Sequence, residues 1–180
     1  MPLVAVPKAK VRVFVDTNVI LEAFRTGCWP ALVASFSFET VEKCIEEALT
    51  GDPSDPRHVA VDPGVLAAGL AARHAVDKRI LARFALEHPA SAGLDDGELH
   101  LLAWLHAQGL LPKVLVLLST ADKAAIVATG RLGGLDSLVS LEQLAKDAGA
   151  ARGQVDSLVR HYRSGWLDEI KVKVRFGMIP

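Results

Sequence analysis

Short apolar runs alternate with longer amphipathic stretches along most of the chain. Apart from Arg12, residues 11–15 are β-branched or aromatic, which predicts a buried strand, and the apolar positions of residues 17–26 recur at helical spacing up to Gly27. A short second strand is predicted at residues 37–39, and the continuous apolar run at 113–118 is typical of a buried parallel strand. Strands that alternate with helices predict an α/β fold with a mostly parallel sheet.

The same pattern predicts the remaining elements. Helices are expected at 41–49 (with Thr40 as N-cap), 64–74, 76–88, 97–108, 121–129 and 141–148, and short strands at 58–61 and 138–140. Past Gly149 the chain is more polar: residues 151–163 predict a helix, and residues 170–176 alternate between apolar and basic positions, which predicts an edge strand. We therefore predict a core domain of residues 1–148 and a helix-plus-strand extension of residues 149–180 packed on it.

Composition limits the classes of protein. The chain has 180 residues, 51% of them hydrophobic, which suits one folded domain and argues against disorder. The formal net charge of −1 provides no overall basic field for nucleic acids, so any such binding needs a local patch. Two cysteines, Cys28 and Cys44, make no disulfide framework, and we expect both to be inert core thiols. With no predicted signal peptide or membrane span, we expect a cytoplasmic protein without a membrane partner.

Carboxylates recur where chemistry is expected. Asp16 directly follows the first predicted strand and Asp122 follows the strand that ends at residue 118, so two acids meet at one edge of a parallel sheet. Two helices add further candidates, which are Glu39, Glu42, Glu46 and Glu47 on one side and Asp95, Asp96 and Glu98 on the other. Gathered carboxylates repel each other unless a cation compensates, and oxygen ligands suit Mg²⁺ or Mn²⁺.

The histidines and the basic C-terminal face add little to this picture. His74, His88, His100 and His106 show no shared ligand spacing, so we interpret them as surface or boundary residues rather than a zinc site. The basic positions of the predicted edge strand, Lys171, Lys173 and Arg175, are interpreted as a solvated edge, with contact to RNA phosphates or a protein as the alternative.

Four stretches carry a family resemblance. They are Val-Phe-Val-Asp-Thr-Asn-Val-Ile at 13–20, the predicted helix start at 40–49, Asp-Gly-Glu at 96–98 with the helix that follows, and the strand, hydroxyl and Asp element at 116–125. In this order and spacing they resemble the PIN-domain ribonucleases, including the VapC-type toxins of toxin–antitoxin pairs. The resemblance spans roughly residues 11–147 and implies a three-layer α/β/α fold, with residues 1–148 as a PIN-like nuclease domain.

The resemblance also implies the site. Catalytic residues would be Asp16, Glu47, Glu98 and Asp122, with Asp16, Glu98 and Asp122 binding Mg²⁺ (or Mn²⁺) for hydrolysis of RNA phosphodiesters. Glu42 and Glu46 stay open as alternatives to Glu47. We interpret Asp95 and Asp96 as helix caps, and the alternative is that one of them contacts the site. Asn18 and Thr120 are expected to contact metal-bound water or phosphate.

The family implies partners as well as a site. They are an RNA substrate, an antitoxin protein where the protein is a toxin, and a second copy of the chain in a homodimer. The alternative function is a catalytically weak or inactive PIN-fold module that binds RNA or protein.

Overall fold

A four-stranded parallel sheet forms the centre of the molecule. The computed structural model describes residues 9–111 and 116–179. Within them the strands are β1 (Arg12–Val15), β2 (Ser37–Val41), β3 (Leu70–His74) and β4 (Leu117–Ser119), in the order β3-β2-β1-β4. The predicted α/β class with a parallel sheet is confirmed.

Helices connect and cover these strands. In the described residues they are α1 (Thr17–Thr26), α2 (Trp29–Ser35), α3 (Glu42–Leu49), α4 (Pro63–Gly69), α5 (Lys78–Glu87), α6 (Asp96–Ala107), α7 (Lys123–Arg131), α8 (Leu141–Asp147), α9 (Arg152–Asp156) and α10 (Ser164–Arg175). Short 3-10 turns lie at Pro89–Gly93, Leu135–Ser137 and Arg160–Tyr162. No helix in the described ranges is both long and apolar enough to cross a membrane.

The side chains of β1 separate two apolar cores. Val13 and Val15 pack on one face of the sheet with residues of α1, α2, α8 and α9. Phe14 points to the opposite face and packs with residues of α5, α6, α7 and α10. Successive side chains of a strand alternate between faces, so the consecutive buried apolar residues Val13, Phe14 and Val15 show that β1 is covered on both sides. The predicted three-layer α/β/α arrangement is confirmed.

The strand order places a crevice beside β1. The chain moves outward from β1 through β2 to β3 and then returns to the other side of β1 as β4. Val15 is paired with Ser119, so the segments that follow β1 and β4 start side by side. In open parallel sheets, the point where the strand order reverses leaves a crevice at the carboxyl ends of the strands. Asp16 and Thr120 therefore enter the same crevice.

Two predictions between β2 and α5 are wrong. Residues 70–74 were expected to continue a helix but form β3, which pairs with β2 from Leu70 to His74. The segment Leu-Ala-Ala-Arg-His favours a helix by composition, but pairing with the open edge of β2 outweighs that local preference. Residues 58–61 form no strand and belong to the irregular segment before α4.

Thr40 is not a helix cap. It lies in β2, and α3 begins two residues later at Glu42. The Thr40 hydroxyl is fully buried and donates to the carbonyl oxygen of Val15, 2.6 Å away. A side chain that the local sequence marks as a cap thus ties the end of β2 to the end of β1.

The predicted edge strand at residues 170–176 is also wrong. This stretch belongs to α10, which packs on α7. Leu167, Ile170 and Val174 recur at helical spacing and pack in the second core, so burial at three- and four-residue intervals outweighs the two-residue alternation. The basic residues between them lie on a helix; Lys173, for example, pairs with Glu169 one turn earlier.

Smaller differences concern three other predicted elements. The helix predicted at 151–163 is divided between α9 and the 3-10 turn Arg160–Tyr162. The strand predicted at 138–140 is reduced to a single bridge between Leu118 and Leu138. Of the strand predicted at 113–118, residues 113–115 lie outside the described residues, and β4 begins at Leu117.

An ion cluster centred on the buried Glu39 connects β1, β2 and β3. Glu39 of β2 is 5% exposed and accepts hydrogen bonds from Arg12 Nε at 2.6 Å and from His74 Nε2 at 2.8 Å. The His74 ring stacks on Trp104 of α6, with the ring centroids 3.8 Å apart. Burial alone would raise the pKa of Glu39, but the bonds from Arg12 and His74 outweigh it and lower the pKa.

We predict that E39Q lowers the free energy of unfolding by about 1–3 kcal/mol at pH 7, because two charge-assisted bonds lose their anion. A carboxyl with a lowered pKa contributes stability above its unfolded pKa and loses it as the pH falls through the folded value. The E39Q deficit should therefore shrink below about pH 4. Urea unfolding across pH tests this, with the exposed pair-forming Glu169→Gln as a control; equal losses in both variants would contradict the prediction.

Candidate functional site

An acidic cleft of about 400 Å³ opens at the carboxyl end of β1. Its walls come from the start of α1, from α3 and from the start of α6. The lining residues are Asp16, Thr17, Asn18, Glu47, Leu94, Asp95, Asp96 and Glu98. A smaller, apolar hollow lies against it and is shared by Asp16, Glu98 and Thr120. The structure thus places Asp16, Glu47 and Glu98, from three separate stretches of sequence, in one cleft.

Asp16 is the most buried of these acids. It is 1% exposed, and its two oxygens have different partners: Oδ1 accepts from the backbone nitrogen of Val19 at 2.8 Å, and Oδ2 accepts from the Thr120 hydroxyl at 2.5 Å. Burial raises the pKa of Asp16 to about 6, although the bonds from Thr120 and Val19 oppose the rise. Asp16 caps α1 and also lies in the cleft, so the two interpretations of this residue are compatible.

Glu98 is buried beside other acids. It lies in the first turn of α6 and is 5% exposed, and within the described residues its Oε1 has no hydrogen-bond partner. Burial, followed by the charges of Asp122, Asp16 and Asp95, raises the pKa of Glu98 to about 8. Native proteins rarely leave a buried carboxylate oxygen unpaired. A bound cation would remove both the desolvation penalty and the repulsion between these acids.

Glu47 joins three helices. Its Oε2 accepts from the Thr17 hydroxyl of α1 at 2.6 Å, and its Oε1 accepts from the backbone nitrogen of Gly97 in α6 at 3.0 Å. Of the three candidates on α3, Glu47 is the one that lines the cleft, whereas Glu42 and Glu46 are exposed. Through these two bonds Glu47 connects α3 to α1 and α6, so its geometry suits a positioning residue.

Asp122 lies on the other side of Asp16, beyond β4. It caps α7 by accepting from the backbone nitrogen of Ala125 at 2.9 Å, and its own backbone nitrogen donates to the Thr120 hydroxyl at 3.2 Å. Its negative charge raises the pKa of both Asp16 and Glu98, so it belongs to the same electrostatic group. Thr120, which contacts Asp122 and Asp16, connects the two strand-end acids.

The remaining acidic candidates contribute less to the cleft than Asp16, Glu47 and Glu98. Asp95 precedes α6 and raises the pKa of Glu98 through its charge. The side chain of Asp96 is 72% exposed, and its carboxylate lies 4.0 Å from Lys43 Nζ. Glu39 is not in the cleft, since it pairs with Arg12 and His74.

Every polar side chain that lines the cleft offers an oxygen atom, and Asn18 offers an amide nitrogen in addition. Oxygen donors of this kind suit Mg²⁺ or Mn²⁺ rather than zinc or copper. Asp16 and Glu98 line the cleft and could hold such an ion, and the unpaired oxygen of Glu98 is the observation that fits it best. Asp122, the third predicted ligand, is not among the lining residues of the cleft and acts on both acids through its charge.

Sequence reasoning missed Thr17 and Gly97 as parts of the site. Both donate to Glu47, and a Cβ atom at position 97 would collide with the Glu47 carboxylate. Glycine costs about 1 kcal/mol relative to alanine inside a helix, so a glycine in the first turn of α6 was the available signal.

Comparisons with known protein families, with curated proteins and with solved structures find no match to this chain. The resemblance to PIN-domain ribonucleases therefore stays a prediction that rests on the sequence motifs.

The raised pKa values predict how stability depends on pH. Between the unfolded and folded pKa values of Asp16 and Glu98, the folded state binds more protons than the unfolded state, so stability falls as the pH rises from about 4 to 8. The E98Q side chain cannot ionise. With a chelator present, E98Q should be more stable than wild type by about 2–4 kcal/mol at pH 8, and the two should converge near pH 4.

Urea unfolding at several pH values measures this difference. The control is E46Q, which changes an exposed glutamate of α3 that pairs with Lys43 and should follow the wild-type profile within about 0.5 kcal/mol. If the free energy of unfolding depends on pH in the same way in E98Q and in wild type, the ionisation of Glu98 does not destabilise the folded state and the prediction is wrong.

Gly97→Ala tests the positioning of Glu47. We expect the added methyl group to displace the Glu47 carboxylate while helix propensity offsets part of the cost, so the free energy of unfolding should change by less than about 1 kcal/mol. Mg²⁺ affinity, measured by calorimetry, should fall about tenfold. The control is Gly165→Ala, since a Cβ atom at Gly165 of α10 has no neighbour within 4 Å. Unchanged Mg²⁺ affinity in G97A would contradict the role of Glu47.

Proposed function

We propose that this chain is a metal-dependent ribonuclease that hydrolyses RNA phosphodiesters in the acidic cleft. The observation that carries the proposal is the buried, unpaired oxygen of Glu98, which lines the cleft with Asp16 and has its pKa raised by the charges of Asp16 and Asp122. The crevice at the strand-order reversal supports the same conclusion, because open α/β sheets bind their ligands there. The choice of RNA among phosphodiesters rests on the family resemblance.

Hydrolysis of a phosphodiester needs an activated water and stabilisation of the charge that develops on the attacking and leaving oxygens. Bound Mg²⁺ or Mn²⁺ supplies both. In this proposal Asp16, Glu98 and Asp122 hold the metal. Thr120 fixes one oxygen of Asp16, and the capped start of α1 fixes the other, so the carboxylate is oriented before any ligand arrives.

The other polar residues of the cleft orient rather than bind. Glu47 keeps α1 and α6 at a fixed separation through Thr17 and Gly97, and this sets the distance between Asp16 and Glu98. Asn18 is exposed at the mouth of the cleft, where its amide can reach a phosphate oxygen. Asp95 adds negative charge beside Glu98 and strengthens the attraction of the cleft for a cation.

We predict that D16N abolishes metal-dependent cleavage, with a loss of at least about 100-fold, and leaves the fold intact. Asparagine keeps an oxygen that can accept from Val19 and gains an amide that can donate to Thr120, so the local hydrogen bonds survive while the charge is lost. Cleavage of single-stranded and structured RNAs is measured with Mg²⁺, with Mn²⁺ and with a chelator. Thermal unfolding of D16N reports on the fold.

The exposed Glu46→Gln is the matched control and should cleave like wild type. Cleavage that persists in D16N at the wild-type rate would overturn the proposal, as would cleavage that a chelator leaves unchanged. Metal and RNA binding without cleavage by the wild-type protein would favour the alternative, a PIN-fold module that binds RNA. The roles of toxin, antitoxin partner and homodimer stay predictions from the sequence resemblance.

A further inference from the structure

A second group of potential metal ligands lies away from the acidic cleft. Glu87 and His88 end α5, and His106 lies in the last turn of α6. One ligand atom from each residue falls within 4.8 Å of the other two. The Nε2 atoms of His88 and His106 are 3.2 Å apart, and Glu87 Oε2 is 3.5 Å from His106 Nε2.

These distances match the edges of a zinc tetrahedron. Zinc binds imidazole nitrogen at 2.0–2.1 Å and carboxylate oxygen at 2.0–2.2 Å, so two of its ligand atoms lie about 3.3–3.5 Å apart. The His88–His106 and Glu87–His106 separations fall close to this value. Glu87 is exposed, so a change of rotamer can bring its carboxylate nearer to His88.

The local fold explains how two consecutive residues reach the same point. Neighbouring residues of a helix point about 100° apart, but His88 has left the helix, with φ −132° and ψ 71°. The buried ring of Phe84 contacts both imidazoles, with ring centroids 4.9 Å from His88 and 5.6 Å from His106. The two rings are therefore held toward each other by packing.

The protonation of the histidines also suits a metal. Burial, followed by the neighbouring His88, lowers the pKa of His106 and favours the neutral imidazole, the form that ligates metals. Without a metal, two facing Nε2 atoms need one proton between them, because one must donate and the other accept. A divalent ion satisfies both lone pairs at once.

We propose that Glu87, His88 and His106 form a binding site for Zn²⁺, with water as the fourth ligand. Two imidazoles and one carboxylate select a borderline transition metal over Mg²⁺. A groove of about 270 Å³ is lined by Glu87 and His106 and gives solvent access to the ion. The site lies about 12 Å along α6 from Glu98, so it is separate from the cleft and does not depend on the proposed ribonuclease function.

Bound zinc would act as a crosslink. It would join His88 to His106 and close an 18-residue segment that contains the acids at the start of α6. Closing such a loop restricts the unfolded chain more than the folded one and therefore stabilises the fold. The proposed site would stiffen the element that carries Glu98.

The test is zinc binding by wild type, H88Q and H106Q, measured by competition with a chromophoric chelator in excess Mg²⁺. We expect one tight site per chain in wild type and at least a tenfold loss of affinity in each variant. The control is H100Q, which changes another histidine of α6 outside the cluster and should bind like wild type. X-ray absorption at the zinc edge should detect two imidazole ligands in wild type.

Thermal unfolding gives a second measurement. Zinc in hundredfold excess over its dissociation constant should raise the Tm of wild type by roughly 5 °C and leave H106Q unchanged. Zinc affinity that survives in H88Q and H106Q but is lost in D16N would place the ion in the acidic cleft and overturn the proposal. An absence of tight zinc binding in the folded wild type would overturn it equally.

Discussion

The hydrogen bonds of one buried carboxylate hold the functional end of the sheet together. Asp16 accepts from Val19, in the first turn of α1, and from Thr120, which follows β4 and lies 104 residues away along the chain. The bond from Thr120 depends on the strand order, because the return of the chain as β4 brings Thr120 beside β1. Since these partners fix both oxygens, the same bonds that stabilise the fold also set the orientation of the carboxylate in the cleft, as the proposed function requires.

The cleft is held in an electrostatically unfavourable state by the rest of the fold. Glu98 has a buried, unpaired oxygen next to other acids, whereas the Glu39 carboxylate is paired with Arg12 and His74 and two apolar cores are buried around the sheet. The free energy gained by burying the apolar cores can therefore offset the free-energy cost of crowding acids in the cleft, as is common at functional sites. In the proposed function the same imbalance would favour cation binding, because the ion would relieve a penalty that the folded protein already carries.

The sequence was most informative where local pattern and tertiary contacts agree. The β1–α1 unit and the strand-end candidates Asp16 and Asp122 follow from apolar periodicity and from acids at strand ends. The choice of Glu98 and the three-layer arrangement follow from the family resemblance. Prediction failed where packing opposed propensity, as in the helix-forming β3 segment that pairs with β2 and in the alternating segment that joins α10. The partners of Glu47, Thr17 and Gly97, are distant in sequence, and no local signal identified them as its partners.

The histidines illustrate a limit of spacing rules and also what separates the two proposed sites. His88 and His106 are far apart in sequence and sit on different elements, so ligand spacing within one helix could not find them. Zinc generally outcompetes Mg²⁺ at sites that offer nitrogen, whereas an oxygen-lined cleft discriminates between these ions less strongly. In the proposed arrangement, α6 presents carboxylate chemistry at its first turn and imidazole chemistry at its last. The imidazole site would then capture the borderline ion and leave the cleft to Mg²⁺.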